Sequence, residues 1–112
     1  MVDAQYLTNG LLERAMDLVD NFVNKLEIEG LEKKVFKFEG SVPLVVYKIE
    51  GTKPYAKNIM MYGHLDKQPY DEPWEEGLAP TIPVIKDGKM YGRGVSDDGY
   101  AVFSTMLAIK AA

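Results

Sequence analysis

Apolar residues in the N-terminal part of the chain recur at steps of three and four, which is the spacing of one face of an α-helix. The pattern runs from Asp3 to Glu27, and aspartate, asparagine and lysine side chains occupy the opposite side. Its apolar members are Leu7, Leu11, Leu12, Ala15, Met16, Leu18, Val19, Phe22, Val23 and Leu26. It predicts an amphipathic helix with one buried face that ends near Gly30, because glycine commonly follows the last turn of a helix.

Two β-hairpins are predicted by apolar runs that have turn residues between them. Residues 33–39 and 43–49 are rich in valine, phenylalanine and tyrosine, and they are separated by Gly40 and Ser41. Residues 84–91 carry an Asp-Gly pair between apolar positions, which indicates a second, smaller hairpin with a tight turn.

A continuous apolar run at 58–62 predicts a central strand that is covered on both faces. It ends at His64, so this side chain is expected at the carboxyl end of a strand, where ligands of open α/β sheets bind. The long loop at 67–83 follows and contains several prolines and the only tryptophan, Trp74. Loops of this length are commonly functional, and the tryptophan predicts an ordered loop that lies over another part of the molecule.

The last segment, from Gly99 onward, has apolar residues almost all round a predicted helix, which therefore needs cover on several sides. No glycine, proline or polar run ends this helix before Ala112, and we expect the chain to be a fragment of a larger protein. The predicted fold class is α/β, with a mixed sheet that includes a hairpin and with flanking helices.

The composition excludes several classes of partner. The chain has 112 residues, a net charge of −4 and no cysteine, so it forms one domain at most. The acidic balance argues against nucleic acid or an anionic membrane surface as a partner, and the absence of cysteine excludes disulfides and thiolate metal sites. A signal-peptide pattern and an apolar run of membrane-spanning length are both absent, which predicts a cytoplasmic protein.

The candidate chemistry centres on the only histidine, His64, which has Asp66 two residues further on. In extended backbone such a pair points to the same side. The carboxylate can then accept the second imidazole N–H and raise the basicity of the ring as a metal ligand, and Gly63 leaves room for a close approach. The alternatives are a structural histidine and an aspartate that caps the turn before Pro69.

A second group of candidate ligands lies at Asp97 and Asp98, where a glycine-rich turn leads into the last predicted helix. Carboxylates together with an imidazole are the ligands of zinc-type hydrolytic sites. In the alternative reading, Ser96 or Asp97 merely caps the helix. Nucleotide binding is disfavoured because the glycine spacing does not match a dinucleotide site and the carboxylates would repel phosphate. A nucleophilic serine would have to recruit His64 itself, so no nucleophile is predicted.

Taken together, these segments resemble the co-catalytic zinc aminoacylase and carboxypeptidase family. That family includes carnosinase-like dipeptidases, acetylornithine deacetylase and succinyl-diaminopimelate desuccinylase. The resemblance rests on residues 62–69, Trp74 and residues 87–98, and the order of elements extends it over the whole chain. The His-Leu-Asp-x-Gln-Pro segment favours the dipeptidase branch. The implied fold is a zinc-exopeptidase, or phosphorylase/hydrolase-like, catalytic domain, of which residues 1–112 would be the N-terminal portion.

The resemblance also implies roles for individual residues. His64 would ligate one zinc, Asp66 would be the catalytic residue that orients it, and Asp97 would bridge two zincs, often with a cis peptide bond after it. The residues that would shape the loop around Asp97 are Gly92, Arg93 and Gly94. The family commonly places Lys-Gly soon after the bridging aspartate, whereas this chain has Gly99-Tyr100, a variation that affects the helix start and leaves the ligands intact.

Other parts of the family's machinery are expected outside these residues. Family members carry a Glu-Glu pair with the general base, further metal ligands, and a smaller inserted domain that often mediates dimerisation. We therefore expect the parent to be a dinuclear zinc hydrolase (metallopeptidase, dipeptidase or deacetylase) that acts on a small peptide or N-acyl amino acid and can form a homodimer. The isolated chain is expected to be inert. The alternative function is a non-catalytic interaction module that docks through the last helix.

Overall fold

The computed structural model describes residues 3–55, 57–70 and 73–112, which form two α-helices and four short β-strands. In chain order these are α1 (Leu11–Lys25), β1 (Leu31–Phe36), β2 (Leu44–Ile49), β3 (Val84–Lys86), β4 (Lys89–Tyr91) and α2 (Tyr100–Ala111). The strands pair as two separate two-stranded sheets, β1 with β2 and β3 with β4. The predicted α/β class is confirmed, and the described residues build it with two antiparallel hairpins in place of one mixed sheet.

Both predicted hairpins are present. In the first, β1 and β2 are antiparallel, and Leu31 lies opposite Ile49. In the second, Asp87 and Gly88 form the turn with φ angles of 52° and 72°. Positive φ at both central positions is the geometry of the tight turn that matches the twist of paired strands. The turn residues therefore determine the register of the second hairpin locally.

The two helices differ in how well their bounds were predicted. Helix α1 begins at Leu11 and not near Asp3, because Gly10 has φ 75° and the preceding residues form turns. In those turns Asp3 accepts the amide of Gln5 at 2.8 Å, a local contact that competes with helix formation. Helix α2 begins at Tyr100, one residue after the predicted start at Gly99. None of the helices in the described ranges has the length and apolar character needed to cross a membrane.

The core lies where α1 packs against α2 and the first hairpin. Its buried side chains are Val19, Val23 and Met106. Phe22 of α1 meets Phe103 of α2 edge to face, with ring centroids 4.8 Å apart, an arrangement that suits the aromatic quadrupole. Partly buried side chains that pack against this core are Leu26, Ile28, Leu31, Tyr47, Leu65 and Val102. The predicted apolar face of α1 is confirmed at Val19, Phe22 and Val23.

A polar contact also joins α1 to the first hairpin. The Asp20 carboxylate accepts hydrogen bonds from the Lys33 ammonium and the Tyr47 hydroxyl. Partial burial and the neighbouring Asp20 carboxylate raise the pKa of Tyr47. Burial acts to raise the pKa of Asp20 as well, but the hydrogen bonds from Lys33 and Tyr47 outweigh it, so the pKa of Asp20 is lowered. This cluster fixes the hairpin against the helix.

Two predictions about burial are wrong for the described residues. The run at 58–62 forms no strand, and the side chains of Ile59 and Met60 are 85% and 92% exposed. An apolar strand needs paired neighbours on both edges, and neither hairpin lies in register with this run. Helix α2 is likewise covered on one side, since Met106 is buried while Tyr100 and Leu107 are exposed.

Candidate metal site

The His64-Asp66 segment is anchored by the residue between them. Leu65 packs against the core, and the side chains of its two neighbours meet each other. Nδ1 of His64 accordingly lies 2.9 Å from Oδ1 of Asp66. The carboxylate can accept the Nδ1–H proton, which leaves Nε2 as the lone-pair nitrogen that a metal would use.

Gly63 brings this segment close to the start of α2. A Cβ atom added at Gly63 would lie 3.0 Å from the Cβ of Ala101 and 3.7 Å from Oδ2 of Asp98. The sequence predicted that Gly63 leaves room for a close approach, and in the structure the start of α2 occupies that room. As a result His64 lies directly beside the turn that carries both aspartates.

Asp98 links the two parts of the site through backbone amides. Its Oδ2 accepts the His64 amide at 3.2 Å, and its Oδ1 accepts the amides of Gly99 and Ala101 at 2.5 and 3.4 Å. These N–H donors, with Gly99 the strongest and His64 next, lower the pKa of Asp98 although burial opposes them. Asp98 is the buried charged residue of the described chain, and it is held as a carboxylate.

The N-cap position of α2 is Gly99, and the amides of Gly99 and Ala101 are accepted by the Asp98 carboxylate. Ser96 and Asp97, which the alternative reading of the turn proposed as caps, do not occupy the cap position. The resemblance implies a ligand role for Asp97, and in the structure the two carboxylates are used differently. The Asp98 carboxylate accepts hydrogen bonds from backbone amides, whereas the Asp97 side chain is 68% exposed. A partial signal was present in the sequence, since an aspartate close to the start of a helix can accept the amides that have no partner within the helix.

Asp97 faces the free nitrogen of His64. Its Oδ1 lies 3.5 Å from Nε2 of His64, and Oδ2 of Asp98 lies 3.9 Å from the same nitrogen. Two ligands of a tetrahedral zinc with bonds of about 2.0 Å are separated by roughly 3.3 Å. The spacing of Nε2 and Oδ1 thus fits a metal shared between His64 and Asp97. The peptide bond between Asp97 and Asp98 is cis, which the resemblance implied.

Arg93 connects the glycine-rich turn to the long loop. Its guanidinium donates to the carbonyl of Pro69 at 2.9 Å, and its amide donates to the carbonyl of Pro80 at 2.9 Å. The same guanidinium lies 5.9 Å from the ring centroid of Trp74, within cation–π range. Trp74 therefore lies against the turn, as predicted for an ordered loop. Residues 71 and 72 of the loop lie outside the described residues.

The donor set that the described residues assemble is small. Within the described ranges, three or more histidine, cysteine, aspartate or glutamate side chains do not come together in a way that could hold a metal. His64 and Asp97 present one nitrogen and one carboxylate, Asp66 supports the imidazole, and Asp98 is engaged with amides. Such a pair matches the ligand types of zinc and supplies about half of a tetrahedral shell.

Comparison with known proteins gives the same family as the motifs. Residues 60–112, which include both His64 and Asp97, match the peptidase family M20/M25/M40. The chain is 32% identical over 111 residues to an uncharacterized metallohydrolase of Methanocaldococcus jannaschii, covering 96% of this chain and 25% of that protein. It is 34% identical over 70 residues to the human Beta-Ala-His dipeptidase, covering 62% of this chain and 14% of that enzyme.

A third relative broadens the range of named activities. The chain is 31% identical over 83 residues to the succinyl-diaminopimelate desuccinylase of a Sulfurovum species, covering 74% of this chain and 21% of that protein. The chain therefore spans a quarter or less of the length of these relatives. The motifs and the matched segment agree: residues 60–112, which carry both candidate ligands, are similar to the peptidase family M20/M25/M40.

Proposed function

We propose that residues 1–112 are the N-terminal part of the catalytic domain of a dinuclear zinc hydrolase, and that His64 and Asp97 are ligands of its metals. The observation that carries this proposal is the 3.5 Å separation of Nε2 and Oδ1, with Asp66 directly behind the ring. Zinc bound there would polarise the carbonyl of a peptide or N-acyl amide bond and activate water. The relatives named as a dipeptidase and a desuccinylase support this substrate class.

Each residue of the site has a distinct task in this proposal. Asp66 holds the proton on Nδ1 and so keeps Nε2 available. Asp98 fixes the His64 backbone to the start of α2, which sets the distance between the imidazole and the turn. Asp97 is exposed and keeps both carboxylate oxygens open, which is the condition for bridging two metals.

We further propose that the isolated chain does not catalyse hydrolysis. The carboxylates near His64 in the described part of the chain are Asp66, Asp97 and Asp98, and each has a task other than proton transfer. A general base within reach of the water is needed to remove its proton. Purified 112-residue chain that hydrolyses a dipeptide in a zinc-dependent manner would contradict this part of the proposal.

Metal binding can be tested on the chain itself by NMR. Since the chain has a single histidine, its imidazole C–H signals are unambiguous reporters of a Zn²⁺ titration. We expect saturable shifts of these signals in the wild type, their loss in His64→Ala, and much weaker affinity in Asp97→Asn. A matched control is Asp87→Asn, which removes a carboxylate from the turn between β3 and β4 and should leave the affinity unchanged.

Two results would refute the metal-ligand assignment. The first is a wild-type imidazole that does not respond to Zn²⁺ at millimolar concentration. The second is equal affinity in the wild type and in Asp97→Asn, which would place the metal on the histidine alone.

A second candidate function is an interaction module, and the exposed run at 58–62 favours it. Ile59, Met60 and Tyr62 are 81% or more exposed, and an exposed apolar segment whose backbone is not paired can bind a partner. Sedimentation at several concentrations separates the two candidates. Concentration-dependent association without any response to Zn²⁺ would favour the module, and a monomer that binds Zn²⁺ would favour the enzyme segment.

A further inference from the structure

We infer that Lys67 is a positioning residue that holds the Asp97 turn in place for metal binding, an inference that rests on the proposed function. Its ammonium donates a hydrogen bond to the backbone carbonyl of Asp98, the residue directly after Asp97. Lys67 is an exposed residue as a whole, and its charged end is nevertheless directed at the backbone of the candidate site.

The backbone around Lys67 is shaped to admit its side chain. A Cβ atom added at Gly94 would lie 2.5 Å from Cε and 2.8 Å from Cδ of Lys67, and one added at Gly99 would lie 2.8 Å from Nζ. Any side chain at either position would therefore displace the lysine. The stem of Lys67 passes beside Gly94, and its ammonium reaches Gly99. Glycines on both sides of Asp97 leave the space that this lysine fills.

Asp97 needs such support because its own side chain is mostly in solvent. Its position depends on the backbone on either side of it. Three hydrogen bonds hold this region: the His64 amide donates to the Asp98 carboxylate, the Lys67 ammonium donates to the Asp98 carbonyl, and the Arg93 guanidinium donates to the Pro69 carbonyl. Of these, the Lys67 contact is the one made to the main chain of the residue next to Asp97. Without this hydrogen bond the Asp98 carbonyl loses its lysine donor, and the backbone next to Asp97 is held less firmly.

The experiment compares Lys67→Met with the matched control Lys57→Met in the 112-residue chain. Methionine keeps an unbranched stem and removes the donor. We expect the Zn²⁺ dissociation constant of Lys67→Met, read from the His64 imidazole signals, to rise about tenfold, as for other residues that support metal ligands. Lys57→Met should match the wild type, and the melting temperatures of the two variants should agree.

A second readout does not depend on metal. Hydrogen exchange of the amides of Val95 and Gly99 should be about tenfold faster in Lys67→Met than in Lys57→Met, because a hydrogen bond from a charged donor has been removed. Lys67→Arg restores a cationic donor on a long stem, and we expect it to recover part of both effects. A merely structural lysine would change the melting temperature without this selective change in the turn.

The outcomes separate this inference from the proposed function. Wild-type binding of Zn²⁺ with unchanged affinity and exchange in Lys67→Met would overturn the role of Lys67 and leave the proposed function standing. A wild type that does not bind Zn²⁺ would overturn the proposed function, and the exchange rates would still decide whether Lys67 holds the turn. A Lys67→Met chain that loses its folded spectrum would also overturn the inference, because the lysine would then support the whole fold.

Discussion

Substitution of Asp66 tests directly whether its carboxylate makes the His64 imidazole a stronger ligand for Zn²⁺, as proposed above. Replacing it with asparagine keeps the shape of the side chain and removes the negative charge 2.9 Å from Nδ1 of His64. The amide can still accept the Nδ1–H, but it does so more weakly than a carboxylate. The ring then becomes a poorer donor to zinc and its orientation becomes less fixed, so the affinity for Zn²⁺ should fall.

The size of the effect follows from the exposure of Asp66. Loss of a residue that supports a metal-ligating histidine typically weakens metal binding by about 10- to 100-fold. Because the Asp66 side chain is 86% exposed, water screens its charge, and we expect the lower end of that range, about tenfold. Helix and hairpin content should be unchanged, since Asp66 points away from the core that Leu65 enters.

The assay is a Zn²⁺ titration followed at the imidazole signals of Asp66→Asn, with Asp87→Asn as the charge-matched control. Long-range ¹H–¹⁵N spectra of the ring report the tautomer in the same sample. An unchanged dissociation constant together with an unchanged tautomer would refute the proposed role of Asp66. Equal weakening in both variants would show that net charge, and not the contact with Nδ1, controls affinity.

Two further predictions concern the fold that carries the site. Val23 is 1% exposed, so Val23→Ala should cost about 2 kcal/mol through lost burial and a cavity and lower the melting temperature by about 10 °C. Val42→Ala, at a half-exposed position, should change the melting temperature little. Equal losses of melting temperature in the two variants would contradict the assignment of Val23 to the core. Burial by itself would raise the pKa of Asp20, but the hydrogen bonds from Lys33 and Tyr47 outweigh it, so the pKa of Asp20 in the folded protein lies below the usual value of about 4. The contact of Asp20 with Lys33 and Tyr47 therefore stabilises the protein above that pH, and this stability is lost as the pH falls through the folded pKa of Asp20. The free energies of unfolding of the wild type and of Asp20→Asn should converge towards pH 2. A constant difference between the two across the pH range would refute this role of Asp20.

Local patterns predicted the parts of the molecule that depend on local contacts. The hairpin turn at Asp87-Gly88 follows from the conformations that these two residues favour. The approach of Asp66 to His64 was predicted from their spacing of two residues, and the contact is present. The start of α1 was misjudged because the apolar periodicity continues upstream of Leu11, while Gly10 and the turn at Asp3 interrupt the helix.

The predictions that failed concerned burial by distant partners. An apolar run such as 58–62 indicates a strand only if other strands lie beside it, and the all-round apolar α2 indicates a buried helix only if several elements cover it. The described residues provide cover for one side of α2 and no pairing for the run. Periodicity records the environment that a segment suits, and it does not say which residues supply that environment.

The sequence by itself determined the α/β class, the hairpins, the resemblance to the metallopeptidase family and the candidate ligands His64 and Asp97, because these depend on residue types at short or recognisable spacings. Only the tertiary structure decided which of the two adjacent aspartates remains available. Asp98 binds the amide of a residue 34 positions earlier, and the carbonyl of Asp98 accepts a hydrogen bond from Lys67, 31 positions earlier. Contacts between residues so far apart in the chain form only after α2 and the His64 segment have packed together, since chain spacing alone does not fix distances through space.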